Sequence, residues 1–324
     1  MAAGWSSIPL KMLRRALSPL IVKEFNSAVV REAELLRPHM LFVFKGYMIE
    51  PRTIRAVQKL GTVAINFWPD VSVMAHGPLI PRALPVYDWV FTTKRFGIPD
   101  MRRQLGVERA SFMAHGFDPE VHRPWKLDVR DLEQYSCDVS FIGTWSPKKQ
   151  RLLERLVQCR PDLRVRVWGA QWAAAIPVLG ASIMGRGVLG TEYAKAIAAS
   201  KISLGILSEV RTGASDGDRI TSRTFEIPAI GGFLLHERSD EIDQYFVDGE
   251  ECALFLDGNE LTAKVTHFLA QNGERQRIAE AGHRRCLASG YSIDNKVTTV
   301  IAKARELLAV HTMPSGTANM RQES

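Results

Sequence analysis

The chain has 324 residues, of which 46% are hydrophobic and 24% are charged, with 24 glycines and 16 prolines. This composition is typical of a globular protein and excludes a disordered or fibrous one, and at about 100–200 residues per domain the length predicts about two domains. The 42 lysines and arginines exceed the 35 acidic residues, and the net charge of +7 suits an anionic substrate or an anionic membrane surface.

The four cysteines, Cys137, Cys159, Cys252 and Cys286, lie far apart and have no nearby histidine at ligand spacing. We therefore expect no zinc site, no disulfide and no bound metal. No apolar run approaches the roughly 20 residues of a membrane-spanning helix, and the N-terminus lacks the apolar core of a secretory signal. These features predict a cytoplasmic protein.

The first half of the chain predicts a helical segment followed by a domain. Residues 1–37 have apolar positions at helical spacing and predict two helices that are interrupted near Pro19. Residues 38–124 predict a Rossmann-like domain with strands at 40–45, 62–68, 89–93 and 110–114, and helices at 51–60 and 99–106. Its last ten residues, 115–124, are rich in turn formers and are interpreted as a connector.

The alternation of strands and helices resumes in a second Rossmann-like domain at residues 125–312. Strands are predicted at 137–142, 164–168, 202–207 and 232–236, and helices at 147–159, 193–200, 225–229, 260–271 and 273–288. Residues 313–324 are polar and predict a disordered tail. Since strands that alternate with helices form parallel sheets, the fold class is α/β with two Rossmann-like domains.

One candidate site follows the first strand of the second domain. Ligands of open parallel sheets bind at the carboxyl ends of the strands. Gly143 and Thr144 lie there, and the first turn of the next helix contains Lys148 and Lys149. Backbone N–H groups and the helix dipole favour a phosphate or a substrate hydroxyl at this point. A tight turn with solvated lysines is the alternative interpretation.

Residues 216–237 contain the sharpest pattern of the chain. A loop with Arg219 and Arg223 leads into a short helix with Glu226, and Gly231 and Gly232 then turn into an apolar strand. Two guanidinium groups can bind a diphosphate, while a carboxylate accepts hydrogen bonds from a ribose. The alternative is an exposed loop in which Glu226 pairs with Arg223, a contact worth about 0.2–0.5 kcal/mol.

The first domain contributes weaker candidates. Asp70 follows the second strand and is the candidate acceptor-side or catalytic group, because a carboxylate can orient or deprotonate a hydroxyl. A helix cap or a turn is the alternative role for Asp70. Lys45 and Gly46 are lesser candidates of the same kind, His76 is interpreted as a loop histidine, and His115 as a candidate cleft residue.

Several stretches together carry a resemblance to a known family. They are Arg223–Leu235 (RTFEIPAIGGFLL), 246–251 (FVDGEE), 278–282 (IAEAG), 138–144 (DVSFIGT) with Gly169, and more loosely Tyr87, Asp88 and 115–119. The chain resembles the CgeB-like glycosyltransferases, of the group 1 type, over roughly residues 38–300. This resemblance implies the GT-B fold, in which two Rossmann-like domains face a cleft.

The resemblance also implies an activity. A sugar would move from a nucleotide-diphosphate donor on the second domain to a hydroxyl-bearing acceptor on the first, in cell-surface or secondary glycan synthesis. Glu226 stands where retaining relatives bind the donor ribose, and Asp218 stands where many of them have a glutamate facing the donor sugar. Arg219 and Arg223 would stabilise the leaving diphosphate, so the nucleotide sugar is the co-substrate and neither a metal nor another cofactor is expected.

These arguments give the following candidate residues. Asp70, Arg219 and Arg223 are the catalytic candidates, and Gly143, Thr144, Lys148, Trp168, Gly169, Val188, Asp218, Arg219, Arg223, Thr224 and Glu226 are the candidates for nucleotide-sugar binding. The nucleobase is expected near Trp168 and Gly169 or near Gly187 and Val188. Because a helical pattern precedes the first strand, where GT-B enzymes open with a strand and a glycine-rich loop, the N-terminal domain is expected to be shortened.

The sequence also bears on other classes of function. No GxGxxG follows an early strand, which argues against a Rossmann oxidoreductase or epimerase. No basic stripe surrounds the aromatic residues, so we expect no nucleic-acid partner. Residues 10–25 combine basic and apolar positions, and either contact the inner face of a membrane, as suits a lipid-linked acceptor, or pack on the sheet. A non-catalytic nucleotide-sugar-binding or scaffold protein of the same fold is the alternative function.

Overall fold

The computed structural model describes the backbone of residues 8–312 and the side chains of residues 19–310, so the predicted tail at 313–324 lies outside the described residues. The helices are α1 (Ile8–Leu36), α2 (Pro51–Gln58), α3 (Leu79–Ala83), α4 (Gly97–Leu105), α5 (Val129–Tyr135), α6 (Pro147–Cys159), α7 (Ile176–Leu179), α8 (Thr191–Ala198), α9 (Ser222–Ala229), α10 (Gly258–Ala270), α11 (Asn272–Ala288) and α12 (Ile293–Thr312). The strands are β1 (Met40–Phe44), β2 (Val63–Trp68), β3 (Trp89–Thr92), β4 (Ala110–Phe112), β5 (Cys137–Ile142), β6 (Val165–Trp168), β7 (Ser200–Gly205), β8 (Leu234–Glu237) and β9 (Ala253–Phe255).

The N-terminal segment corrects one expectation. Where the sequence predicts two helices interrupted near Pro19, α1 runs without a break and contains Pro19 in its interior. A proline removes one backbone donor from a helix, and the turns on either side of it retain theirs. No helix in the described part of the chain is long and apolar enough to cross a bilayer.

The first unit comprises the chain up to Met113, Thr212–Ser215 and the described residues from Thr299. Its four strands are all parallel, in the order β1-β2-β3-β4. Alternate residues of these strands face two hydrophobic clusters, because successive side chains of a strand point to opposite faces. Ala64 and Val90 belong to one cluster, and Ile65 belongs to the other, together with Val300 of α12.

The second unit comprises Ala114–Arg211 and Asp216–Thr298. Its five parallel strands have the order β6-β5-β7-β8-β9, so β5 has β6 on one side and β7 on the other. The direction of winding therefore changes between β5 and β7, and the carboxyl ends of these two strands form the point where open α/β sheets bind ligands. The predicted α/β class with two Rossmann-like units is confirmed.

A buried asparagine joins α1 to the start of α2. Asn26 is 3% exposed, and its side-chain oxygen accepts hydrogen bonds from the backbone N–H of Glu50 (2.9 Å) and the hydroxyl of Thr53 (2.7 Å). Its side-chain nitrogen donates to the carbonyl oxygen of Met48 at 2.7 Å. This side chain therefore hydrogen-bonds groups of three residues outside α1, of which Thr53 is buried.

We expect Asn26→Ala to lower the free energy of unfolding by about 1–3 kcal/mol, because it leaves buried donors and an acceptor without partners. Urea denaturation followed by circular dichroism measures the effect. Ser27→Ala, an exposed substitution at the next position of α1, is the matched control and should change stability by less than about 0.5 kcal/mol. Equal midpoints for the two variants would contradict this account of Asn26.

Candidate functional site

Arg223 lies at the point where the winding of the second sheet changes direction. Its Nη1 atom donates to the carbonyl oxygen of Ile142 at 3.3 Å, and its Nη2 atom to that of Ile206 at 2.9 Å. Ile142 ends β5, and Ile206 directly follows β7. The Nε atom is buried and has no hydrogen-bond partner among the described residues. The first turn of α9 thus fixes a positive charge between two strand ends.

Two glycines make the space for this arrangement. A Cβ atom at Gly143 would lie 3.2 Å from Nη1 of Arg223 and 2.9 Å from the ring of Phe141. Gly169 has a φ of 140°, and a Cβ atom there would lie 2.0 Å from the carbonyl oxygen of Gly143. Because the chain ends of β5 and β6 approach this closely, both predicted site glycines have a steric reason to be glycine.

Lys149 points inward beside Arg223. It is 4% exposed, and its Nζ atom donates to the carbonyl oxygen of Thr144 and to the hydroxyl of Ser208, both at 3.2 Å. Burial, and next the positive charge of Arg223, lower the pKa of Lys149 from 10.5 to about 8. This edge of the sheet therefore has the guanidinium of Arg223 and the amine of Lys149. The amine is only partly protonated in weakly alkaline solution.

The predicted phosphate position at the start of α6 already has an acidic occupant. The carboxylate of Glu209 accepts a hydrogen bond from the backbone N–H of Lys148 at 2.7 Å, in the first turn of the helix. Burial alone would raise the pKa of Glu209, but hydrogen bonds from Ser146 and from the Lys148 N–H outweigh it and lower the pKa. A negative charge is thus favourable at this helix end, and the binding of a phosphate there stays a prediction.

The side chain of Lys148 is paired rather than solvated. Its Nζ atom donates to both carboxylate oxygens of Glu237, at 2.8 and 3.0 Å. Glu237 also accepts from the backbone N–H of Leu207 at 2.9 Å. The sequence pattern does not point to Glu209 or Glu237, although Glu237 ends β8 and Glu209 lies four residues beyond β7.

The two arginines of the sharpest motif have different partners. Arg219 pairs with Asp216 and, at 3.3 Å, with Asp240, whereas Arg223 binds the two strand-end carbonyl oxygens. The carboxylate of Asp218 accepts from the backbone N–H of Ser208 at 3.4 Å. The structure therefore places Asp218 near the end of β7. It does not show the guanidinium groups of Arg219 and Arg223 converging on a common binding position.

Glu226 lies beside a buried tyrosine. Its carboxylate accepts from the hydroxyl of Ser222 at 3.1 Å. Burial, and next the negative charge of Glu226, raise the pKa of Tyr193 well above its ordinary value, while Arg223 opposes the shift. Arg223 and Glu226 therefore act on the same phenol. The alternative interpretation is an ion pair between Arg223 and Glu226. In the structure Arg223 instead donates to two backbone carbonyl oxygens, and Glu226 accepts from Ser222.

Three other candidate side chains have structural surroundings. Trp168 and Val188 are each 2% exposed, so they offer backbone atoms rather than side chains to a nucleobase. The hydroxyl of Thr224 is hydrogen-bonded to Nε2 of His236 at 2.8 Å, deep in the unit. Burial lowers the pKa of His236 to about 4. Thr224 therefore positions α9 against β8.

In the first unit, Asp70 is the centre of a small polar cluster. Lys45 Nζ lies 2.8 Å from Oδ1 of Asp70, and the hydroxyl of Tyr47 lies 2.5 Å from Oδ2. Nε2 of His76 lies 3.5 Å from the same Oδ2. The structure thus unites the candidates Asp70 and Lys45 with Tyr47, which the sequence analysis missed, and with His76, which it interpreted as a loop residue.

Residues 148–302 match a protein family described as glycosyl transferase-like, and this stretch includes Arg223 and Glu226. A search of curated protein sequences found no match.

Solved structures with a similar fold cover nearly the whole chain. The sucrose-phosphate synthase of Thermosynechococcus elongatus is 13% identical, with a TM-score of 0.61 over 89% of this chain and 78% of that one. A glycosyltransferase from Rickettsia africae is 8% identical, with a TM-score of 0.60 over 95% and 84%. HepE of Anabaena, in complex with UDP-glucose, is 14% identical, with a TM-score of 0.61 over 88% and 82%. The chain therefore has the GT-B type of fold that the resemblance implies.

We expect Lys149→Met to stabilise the protein at neutral pH. The unfolded chain holds this proton up to about pH 10.5 and the folded chain releases it near pH 8, so burying the charged amine costs up to about 3 kcal/mol at pH 7. The variant should gain about 1–3 kcal/mol at pH 7 in urea denaturation, and the gain should shrink as the pH rises from 8 to 10.5. Lys264→Met, on the surface of α10, is the control, and a gain that does not depend on pH would refute this explanation.

Proposed function

We propose that this protein is a glycosyltransferase that moves a sugar from a nucleoside-diphosphate donor to a hydroxyl group of an acceptor, in cell-surface or secondary glycan synthesis, and that it is of the CgeB-like type. The match of residues 148–302 to a glycosyl transferase-like family supports the reaction class. Solved structures of similar fold include a complex with UDP and another with UDP-glucose, which supports a uridine nucleotide as the first donor to test.

The observation that carries the proposal is the fixed cation at the end of β5 and β7. The Nε atom of Arg223 is buried there with no hydrogen-bond partner in the part of the chain that the structure describes, and Lys149 lies beside Arg223. A diphosphate gives such groups short, charge-assisted hydrogen bonds, and it would restore the full charge of Lys149. Glu226, on the same helix as Arg223, is the proposed partner of the donor ribose.

The transfer balances without an added reactant. The acceptor oxygen bonds to the anomeric carbon while the bond from that carbon to the diphosphate oxygen breaks, and the electron pair leaves with the nucleoside diphosphate. The hydroxyl proton passes to the leaving phosphate. Arg223 and Lys149 would stabilise the charge that grows on this phosphate, and such stabilisation is commonly the largest catalytic contribution. Retention of the anomeric configuration is part of the proposal, because Glu226 corresponds to a residue of retaining relatives.

Metal independence is proposed on the same grounds. Arg223 and Lys149 supply fixed positive charge where a divalent ion would otherwise neutralise a diphosphate. Turnover of UDP-glucose in excess EDTA should equal turnover in added magnesium, and a loss of more than tenfold in EDTA would overturn this part.

We also propose a cytoplasmic location with contact at the inner face of the membrane. Leu20 and Ile21 of α1 are exposed, next to the exposed Lys23, as an interfacial helix requires. Of the predicted segment 10–25, the side chains before residue 19 lie outside the described residues. Cosedimentation of the full chain with anionic vesicles tests the contact, and binding unchanged in Leu20→Ser/Ile21→Ser would exclude α1 from it.

Arg223→Ala should weaken the binding of UDP about 10- to 100-fold, because it removes a charge-assisted hydrogen-bond donor worth about 1.5–3 kcal/mol. Isothermal titration of the full chain measures the affinity, and circular dichroism checks the fold. Arg211→Ala removes an exposed guanidinium near the same loop and is the matched control. Equal affinity of Arg223→Ala and wild type would refute the placement of the diphosphate.

Release of UDP from UDP-glucose separates an enzyme from a binding protein. If UDP binds and neither water nor any acceptor releases it from the donor, the chain is a nucleotide-sugar-binding protein instead of a transferase. If none of UDP, GDP, ADP and TDP binds, the proposed function fails altogether.

Glu209→Gln should bind UDP about three- to tenfold more tightly than the wild type. The carboxylate of Glu209 occupies the helix end where a phosphate is expected, so removing its charge removes a competitor and a repulsion of about 1 kcal/mol. Glu133→Gln removes one negative charge from the exposed surface of α5 and controls for net charge. Weaker binding in Glu209→Gln would show that Glu209 supports the nucleotide and does not compete with it.

A further inference from the structure

The polar cluster of the first unit is held together by an unusual turn after β1. Lys45 has a φ of 62° and Gly46 a φ of 86°, both in the left-handed region. A side chain is strained at Lys45, by roughly 1 kcal/mol. The turn places Lys45 and Tyr47 on the two oxygens of Asp70, which lies just beyond β2. Strain of this kind persists where the surrounding structure requires it, and often at functional sites.

Three aromatic rings lie together at this cluster, and two of them, Tyr47 and His76, contact the carboxylate. The ring centroids of Tyr47 and His76 are 5.3 Å apart, and each lies within about 6 Å of Trp68, at 6.0 and 5.6 Å. Trp68 is buried, and its Nε1 atom has no hydrogen-bond partner among the described residues. Tyr47, in contrast, is 41% exposed, so one ring of the group is open to a ligand.

The charges of this cluster compensate one another. Burial opposes the charge of Lys45, but the hydrogen bond and charge of Asp70 outweigh it and raise the pKa of the amine. The amine is therefore an ammonium at neutral pH, and it balances the carboxylate it contacts at 2.8 Å. Oδ1 of Asp70 keeps a second lone pair after its contact with Lys45, whereas Oδ2 lies near both the hydroxyl of Tyr47 and Nε2 of His76. The cluster thus offers acceptors, donors and an aromatic ring without a net charge from its ion pair.

This combination fits an uncharged ring with several hydroxyl groups. Hydroxyls can donate to a carboxylate and accept from an ammonium, while the apolar C–H face of a sugar ring can lie against an aromatic side chain. The negative charge of Asp70 would repel an anion, and the positive charge of Lys45 would repel a cation. A lipid chain would cover both charged groups without giving them hydrogen bonds.

We propose that Lys45, Tyr47 and Asp70 form a carbohydrate-binding site, so that the acceptor of the proposed transfer is itself a sugar. Asp70 binds a sugar hydroxyl, and the ring of Tyr47 contacts the sugar face. The role of the bound sugar as an acceptor rests on the proposed function. The binding of a sugar at this cluster does not, and it can be tested separately.

The test is saturation-transfer NMR on the full chain with glucose, galactose, N-acetylglucosamine and mannose as probes, with and without UDP. We expect at least one of the four to bind, and its affinity to fall at least fivefold in Asp70→Asn and in Tyr47→Ala. Tyr47→Phe, which keeps the ring and removes the hydroxyl, should lose less than Tyr47→Ala. Glu108→Gln removes an exposed carboxylate of the same unit and should bind as the wild type does.

Each outcome has a defined meaning. If none of the four sugars binds, or if binding is the same in Asp70→Asn, Tyr47→Ala and wild type, the site is overturned. If UDP binds while the sugars do not, the inference fails and the proposed function stands; if a sugar binds at Asp70 while no nucleotide binds, the reverse holds. Should Asp70→Asn fail to fold, the two Tyr47 variants decide the question, because that side chain is exposed.

Discussion

The second unit depends on one guanidinium group that joins two strand ends. Arg223 donates to the carbonyl oxygens of Ile142, at the end of β5, and of Ile206, just after β7. Between these two strands the order of the sheet changes direction. The space for it exists because Gly143 has no side chain, and because Gly169 lets the end of β6 approach Gly143. The charge of Arg223 helps to lower the pKa of Lys149, and it opposes the rise in the pKa of Tyr193.

This edge is built with more charge than stability alone would favour. Lys149 is buried and donates to a carbonyl oxygen and a hydroxyl, and the carboxylate of Glu209 lies at the helix end of α6. Burying charged groups costs free energy, and proteins keep such groups mainly where function needs them. The expected stability gain in Lys149→Met and the proposed role of Lys149 toward a diphosphate are therefore two consequences of the same burial.

The first unit repeats the principle with different chemistry. Its polar cluster also lies where strands of a parallel sheet end, since Lys45 follows β1 and Asp70 follows β2. Here the charges are paired within the cluster, and the open element is an aromatic ring. A site of compensated charge suits a neutral ligand, and a site of fixed positive charge suits an anionic one.

The sequence by itself determined the alternation of elements, because burial of parallel strands leaves short apolar runs and helices leave a regular period. It therefore predicted β5 and α6 at their observed limits. It missed α12 and β9, which have no strong pattern of their own, and it interrupted α1 at Pro19. The CgeB-like type, the shortened first domain and the roles of the candidate residues stay predictions.

Only the tertiary structure decided which groups meet. Glu209 is 61 positions from Lys148, whose backbone N–H it binds, and Arg223 is 81 positions from Ile142. Tyr47 follows β1 and contacts Asp70, which follows the neighbouring strand β2. Arg219, four residues from Arg223, instead has acidic partners of its own. Such pairings depend on the order of strands and on the turns between them, and local spacing along a chain contains neither.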